Sequence, residues 1–217
     1  MKEVIDFLKQ LKVNNNREWF EANKAQYLKA KSLYDDFVNQ IIDGIRVFDP
    51  TIGKLEAKDC TFRIYRDVRF SPNKDPYKDQ MGAYIARGGR KSTWAGYYIH
   101  LEPDNCFTGG GIYMPPPDVL KSVRNEIYFN AADFLAIFSD KNFKKYYAEL
   151  YEDKLSRPPK DFDIQSPVIE YLKYKSYFAD TQISMEKVYS DKLVSFVLDA
   201  MKAVLPLTKF LNKAFEK

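Results

Sequence analysis

The apolar residues change period twice along this chain, and that change restricts the fold more than any other feature. Up to about residue 50 they recur at helical spacing, between Thr61 and Tyr113 they alternate, and beyond Pro115 helical spacing returns. An order of helices, then strands, then helices lacks the repeated strand–helix–strand units of a parallel sheet. The expected fold class is α+β: a central antiparallel sheet over about residues 61–113, with helices from both chain ends packed mainly against one face.

The details follow from the same spacing. Val4, Ile5, Leu8 and Leu11 mark a first helix, and Asn14, Asn15 and Asn16 suit the end of one helix and the cap of the next. Phe20, Tyr27, Tyr34 and Ile41 recur every seven residues on a long second helix starting near Arg17, with Gly44 and Pro50 marking its end. A strand is expected from Thr61, with Phe62, Ile64, Val68 and Phe70 on one face. Strict alternation places Arg66 on that apolar face, which demands a carboxylate partner or a bulge. Gly82 to Ala86, Trp94 to Leu101 and Cys106 to Tyr113 read as further strands of a meander, with a turn at Pro103, Asp104 and Asn105. Asp118 suits a helix cap, Tyr151 to Pro167 a surface loop, and the segment from about Tyr174 to Ile183 one more strand. Leu193, Phe196, Val197, Ala200, Met201 and Val204 predict an amphipathic helix stopped by Pro206.

The chain has 217 residues, 45% hydrophobic and 16% aromatic, enough for a sizeable core. With no Gly/Ser-rich or Pro-rich linker to divide it, residues 1–217 are expected to form a single domain. The opening MKEVIDFLKQ has no uninterrupted apolar stretch, and no run approaches the roughly 18 apolar residues of a membrane span. No membrane association and a cytoplasmic location are the expectations. Cys60 and Cys106 are expected to be buried thiols.

Several kinds of chemistry are excluded. The chain has one histidine, His100, and neither CxxC nor HExxH spacing, which excludes a zinc site of the usual kind; a carboxylate-held Mg²⁺ stays open, but no pattern points to it, so no metal and no cofactor are expected. Nucleophile-elbow, P-loop and dinucleotide-fold glycine signatures are absent. The run Gly109, Gly110, Gly111 suits a bulge or close sheet packing better than a phosphate cradle, because three prolines separate it from the next helix.

Charge, by contrast, is concentrated. From Cys60 to Lys91 eight Lys or Arg face three Asp, although the net charge of the whole chain is only +4. Arg63, Arg66, Arg69, Lys74 and Lys78 surround the strand-to-turn stretch TFRIYRDVRFSPNKDPYK, a confined positive field that suits an anionic ligand. The competing structural reading is a network in which Asp67, Asp75 and Asp79 neutralise these cations and hold the turn. His100 shares a strand face with Tyr98 and Glu102. With Asp104 and Asn105 as the central turn residues, it would lie opposite Gly109, with Tyr98 opposite Gly111. It is either an acid or base beside Tyr98, or a histidine satisfied by Glu102.

The stretches NNNREWFEANKAQY, FRIYRDVRFSPNKDPYK, YYIHLEP, GGGIYMPP and LSRPPKDFD, in this order and over nearly the whole chain, resemble the bacterial family catalogued as domain of unknown function 2461. The resemblance implies that Arg63, Arg66, Asp67, Arg69, Phe70, Lys74, Pro76, Tyr77 and Lys78 form the family signature. It carries no assigned activity. Pro72, Tyr113 and Asp161 depart from the residues more usual there, lysine, tryptophan and glycine.

Two functional readings stand. In the first, a pocket binds a small phosphate- or carboxylate-bearing ligand through Arg63, Arg66, Asp67, Arg69, Lys74, Tyr77 and Lys78, with His100 and Tyr98 as catalytic groups if the protein is an enzyme. In the second, a non-catalytic domain meets nucleic acid or an acidic protein. The sequence pI near 8.8 and the lack of a named nucleic-acid motif favour the first. The discriminator is shape: a concave pocket around the arginines for a ligand, an open basic stripe with exposed aromatics for a polymer. Oligomeric state is not encoded in any recognisable pattern.

Overall fold

A computed structural model of the chain describes residues 1–216. Helices α1 (Lys2–Val13), α2 (Arg17–Ala22), α3 (Lys24–Phe48) and the short α4 (Ala57–Cys60) precede a sheet of β1 (Met81–Ile85), β2 (Gly96–Leu101) and β3 (Cys106–Ile112). Helices α5 (Pro117–Phe129), α6 (Ala131–Ile137) and α7 (Lys141–Tyr146) follow. Strand β4 (Tyr177–Ile183), α8 (Met185–Val188) and α9 (Leu193–Asn212) complete the fold. The four strands pair antiparallel in sequence order, so the α+β expectation holds, with the late segment as the fourth strand.

The two faces of this sheet differ sharply. Ala83, Ile85, Tyr97, Ile99, Leu101, Tyr177 and Ala179 are buried and join one cluster with residues of α1, α3 and α9. Gly110 lets α9 approach on this side, since a β-carbon there would lie 2.5 Å from Val204. The Tyr97 hydroxyl donates to the buried Asp49 carboxylate at 2.7 Å, satisfying both polar groups. The opposite face, which carries Tyr84, Tyr98 and His100, is where the cleft lies.

Six expectations need correction. The long helix expected from Arg17 is broken at Asn23 into α2 and α3, and the cap of α5 is Pro116, with Asp118 inside its first turn. Residues 61–78 form no strand: only isolated bridges pair Thr61 with Ala83 and Tyr65 with Tyr77, and the regular sheet begins at Met81. Pro72 and Pro76 lack ladder donors. Asp67 and Asn73 also draw the backbone N–H groups of Arg69 and Asp75 onto their side chains, which turns the chain instead of extending it. Phe62, Ile64 and Phe70 therefore share no face; Ile64 is buried, whereas Phe70 is 94% exposed.

Helix α3 runs past Gly44, which is a contact point: a β-carbon there would meet the Leu198 side chain at 2.4 Å. Helix α9 continues through Pro206, because burial of Leu207, Phe210 and Leu211 beyond it outweighs the roughly 3 kcal/mol cost of an internal proline. The β2–β3 turn also differs. Asn105 N–H donates to the Glu102 carbonyl, and Asp104 has φ 65°, so Pro103 and Asp104 are the central pair. The register accordingly moves by two residues: His100 faces Phe107 and Tyr98 faces Gly109, with each side chain kept on its expected face.

Candidate functional site

A cleft of about 860 Å³ covers the sheet face turned away from α9. Its floor is built by the cleft-facing positions Gly82 and Tyr84 of β1, Tyr98 and His100 of β2, Phe107 of β3, and Phe178, Asp180 and Gln182 of β4. Tyr113, Met114 and Tyr151 stand at the rim, largely exposed. The glycines do not leave an empty groove; they admit aromatic groups. A β-carbon on Gly82 would lie 2.6 Å from the Tyr98 hydroxyl oxygen, and one on Gly109 would lie 2.1 Å from the Ala179 carbonyl oxygen of β4 and 2.9 Å from the Phe178 ring. The floor is therefore aromatic, with Tyr98 near Phe107, Phe178 and Phe62.

Tyr98 and His100 on this floor form a chain of three polar groups with Glu102, which lies outside the lining. The Glu102 carboxylate sits 3.1 Å from His100 Nε2, and the Tyr98 hydroxyl sits 3.0 Å from His100 Nδ1. A carboxylate can only accept, so Nε2 carries the proton, Nδ1 is the acceptor, and the Tyr98 O–H donates to it. The Asn105 side-chain N–H₂ donates to Glu102 at 3.1 Å, and Lys12 of α1 lies 3.7 Å from Glu102 and 3.8 Å from Asp79. His100 is 7% exposed and stacks on Phe107 at 4.5 Å between ring centres. Burial lowers the pKa of its imidazole, and the neighbouring Glu102 opposes that without overcoming it. Burial also pushes the Tyr98 phenol up to about 12, so both groups rest in their neutral forms.

The cationic stretch divides into two parts. Arg63 and Lys78 line the cleft. Burial, then Arg63 and Arg66, lower the Lys78 pKa, and its ammonium lies 5.6 Å from the Phe62 ring centre. Among the described residues, none of Arg63, Arg66 and Lys78 has a salt-bridge partner. Arg90 and Lys91 add positive charge to the lining, although Arg90 Nη1 already donates to the Lys58 carbonyl at 2.6 Å.

Arg66, Arg69, Asp67 and Lys74 lie outside that lining. Arg69 grips Asp67 through two hydrogen bonds of 2.9 and 2.7 Å, which hold the carboxyl at about 2, and Lys74 donates to the Val68 carbonyl. This part matches the Arg/Asp turn network. Tyr77 is buried, with its ring stacked on Phe20 at 3.9 Å, and serves as an anchor of the loop.

Several contributors escaped the sequence reading. Asn15 accepts from Tyr77 N–H at 3.1 Å and donates to its carbonyl at 3.0 Å, tying the start of the chain to the loop that presents Arg63 and Lys78. Its place in an Asn triplet was the available signal, but capping accounted for all three residues; Asn16 caps α2 by accepting from Trp19 N–H. Asp180 enters the lining from β4, where period-two alternation would have put it on the face of Phe178 and Gln182. Its pKa is raised by burial, and it makes no hydrogen bond or salt bridge among the described residues. The Gln80 side-chain carbonyl oxygen is buried on the wall without a donor. No cluster of three or more His, Cys, Asp or Glu that could hold a metal occurs among the described residues, and no helix there is long and apolar enough to cross a membrane.

Fold and site together define an α+β protein with a ligand-sized cleft on the free face of a four-stranded antiparallel sheet. The chain belongs to the family domain of unknown function 2461, described as a conserved hypothetical protein, whose model matches residues 3–210. No curated protein and no solved structure matches it.

Proposed function

We propose that the cleft binds a small ligand bearing a phosphate or carboxylate and presents Tyr98 to it as an acid or base coupled to His100. The observation that carries this reading is that two unneutralised cations, Arg63 and Lys78, line the same cleft as Tyr98 and His100, which Glu102 backs from outside the lining. Repulsion from Arg63 and Arg66 and partial burial both disfavour the Lys78 ammonium. A bound anion relieves both. The concave shape suits a small molecule better than a polymer.

The polar chain supplies proton transfer. A proton taken from the ligand by the Tyr98 oxygen is matched by transfer of the phenol's own proton to His100 Nδ1. Glu102 then stabilises the imidazolium. In reverse, the same path delivers a proton to a leaving group. The resting protonation states suit this, because burial keeps the phenol protonated and Nδ1 free to accept.

A thermal-shift screen of phosphorylated metabolites and dicarboxylates tests the reading. A ligand stabilises only the state that binds it, so hits should raise the midpoint of wild type and lose that effect in Arg63→Ala and Lys78→Ala. Failure of every anion to stabilise the wild type would refute it. The second reading, an interaction surface for nucleic acid or an acidic protein, draws on the exposed Phe70 beside Arg69 and Lys74. It expects single-stranded DNA to bind tightly at low salt and steeply less as salt rises, an effect lost in Phe70→Ala.

A further inference from the structure

The cleft is electrically two-ended. Arg63 and Lys78 belong to the segment that bridges the outer edge of β1 through Thr61 and Ala83, while Asp180 lies on β4 at the other side of the sheet. Counting that bridged segment, β1, β2, β3 and β4, four inter-strand spacings of about 4.8 Å each separate their backbones. Between them lie the aromatic groups of Phe107, Tyr98 and Phe178. Asp180 has none of the neighbours that normally justify a half-buried carboxylate: no salt bridge, no side-chain donor and no backbone N–H reaches it among the described residues. The acidic groups nearer the cations do have partners, Asp79 with Lys12 and Glu102 with His100, Lys12 and Asn105. Asp180 alone faces the cleft unpaired, and a desolvated carboxylate gains most from a cationic or N–H donor.

We infer that the ligand is two-ended, carrying an anionic group for Arg63 and Lys78, an aromatic or otherwise flat middle over the Phe107–Phe178 floor, and an ammonium or N–H donor that Asp180 receives. This deepens and rests on the anion-binding reading above. The two anchors fix the ligand's direction in the cleft. The middle of the molecule, rather than either end, is then brought to the Tyr98 hydroxyl. A plain phosphate or dicarboxylate satisfies only one end and leaves Asp180 unpaired.

Two probes with the same ring and phosphate separate the two ends. Tyramine O-phosphate carries an ammonium on its short arm; 4-ethylphenyl phosphate lacks it. Calorimetric titration of the full chain with each is the test. Wild type is expected to bind tyramine O-phosphate about tenfold more tightly, the effect of one charge-assisted hydrogen bond. Asp180→Asn should bring the two affinities together while keeping 4-ethylphenyl phosphate binding, and Arg63→Ala should weaken both probes alike. Amide exchange of β4 in Asp180→Asn, compared with wild type, checks that the sheet is intact. Equal affinities in wild type, with both lost in Arg63→Ala, would overturn the two-ended ligand and leave the anion site standing. No binding of either probe, together with no stabilisation by any anion, would overturn both.

Discussion

Because the chain has one histidine, its imidazole signals report on the floor of the cleft without assignment, and they give the polar chain a quantitative test. His100 is buried, so its folded pKa lies below the ordinary 6.5 even though Glu102 pulls the other way. Tyr98→Phe removes the hydroxyl that donates to Nδ1 and keeps the ring. That bond exists only while Nδ1 is unprotonated, so it favours neutral imidazole, and losing it must make protonation easier. A neutral hydrogen bond of about 1 kcal/mol corresponds to a change of about fivefold in the protonation constant. Glu102→Gln acts oppositely, by removing the carboxylate that stabilises the cation. An NMR pH titration of the imidazole in the three proteins is the assay. The expected order of pKa is Tyr98→Phe above wild type and Glu102→Gln below it. A lowered value in Tyr98→Phe would show that the hydroxyl accepts from the ring and would rule out proton transfer from Tyr98 to Nδ1. Stability carries the same sign: a depressed histidine pKa means the unfolded chain binds more protons. Wild type should therefore lose stability as pH falls from 6.5 toward the folded pKa, and His100→Gln should flatten that part of the profile.

Two further substitutions probe how the site is held. Gly82→Ala places a methyl group 2.6 Å from the Tyr98 oxygen and should cost about 1–3 kcal/mol in denaturant melts while breaking the Tyr98–His100 bond; an unchanged midpoint would contradict the packing. Asn15→Ala removes both contacts to the Tyr77 backbone, and should cost about 1–3 kcal/mol and speed amide exchange in residues 62–78; exchange at wild-type rates would show that Phe20 stacking alone fixes the loop.

The sheet was legible because its face alternation is strict. Tyr97, Ile99 and Leu101 are buried against helices, and Tyr98 and His100 point into the cleft. Alternation survives a register error of two, which is why moving His100 from Gly109 to Phe107 left the Tyr98–His100–Glu102 face intact. The stretch from Thr61 to Lys78 was misread because its apolar spacing imitates a strand, whereas side chains of Asp67 and Asn73 capture the backbone donors. Gly44 and Pro206 ordinarily stop helices, but both sit where tertiary contact decides: Leu198 packs on the first, and buried Leu207 and Phe210 follow the second. The cation cluster announced its position and sign. Its division into a cleft part and an exposed Arg69–Asp67 pair depends on a loop path that no periodicity encodes, and Asp180 joins from a strand that starts about 100 residues after β1 begins.

The imidazole of His100 also reads ligand binding directly. Phenyl phosphate titrated into wild type should move its resonances saturably, because the anion at Arg63 and Lys78 places the ring over Phe107, on which His100 stacks. The Arg63→Ala, Lys78→Ala double variant should lose that response while the imidazole keeps its free-state shift. If phenyl phosphate binds without moving the His100 signals, or moves them equally in the double variant, these cations and the Tyr98–His100 centre do not share one ligand.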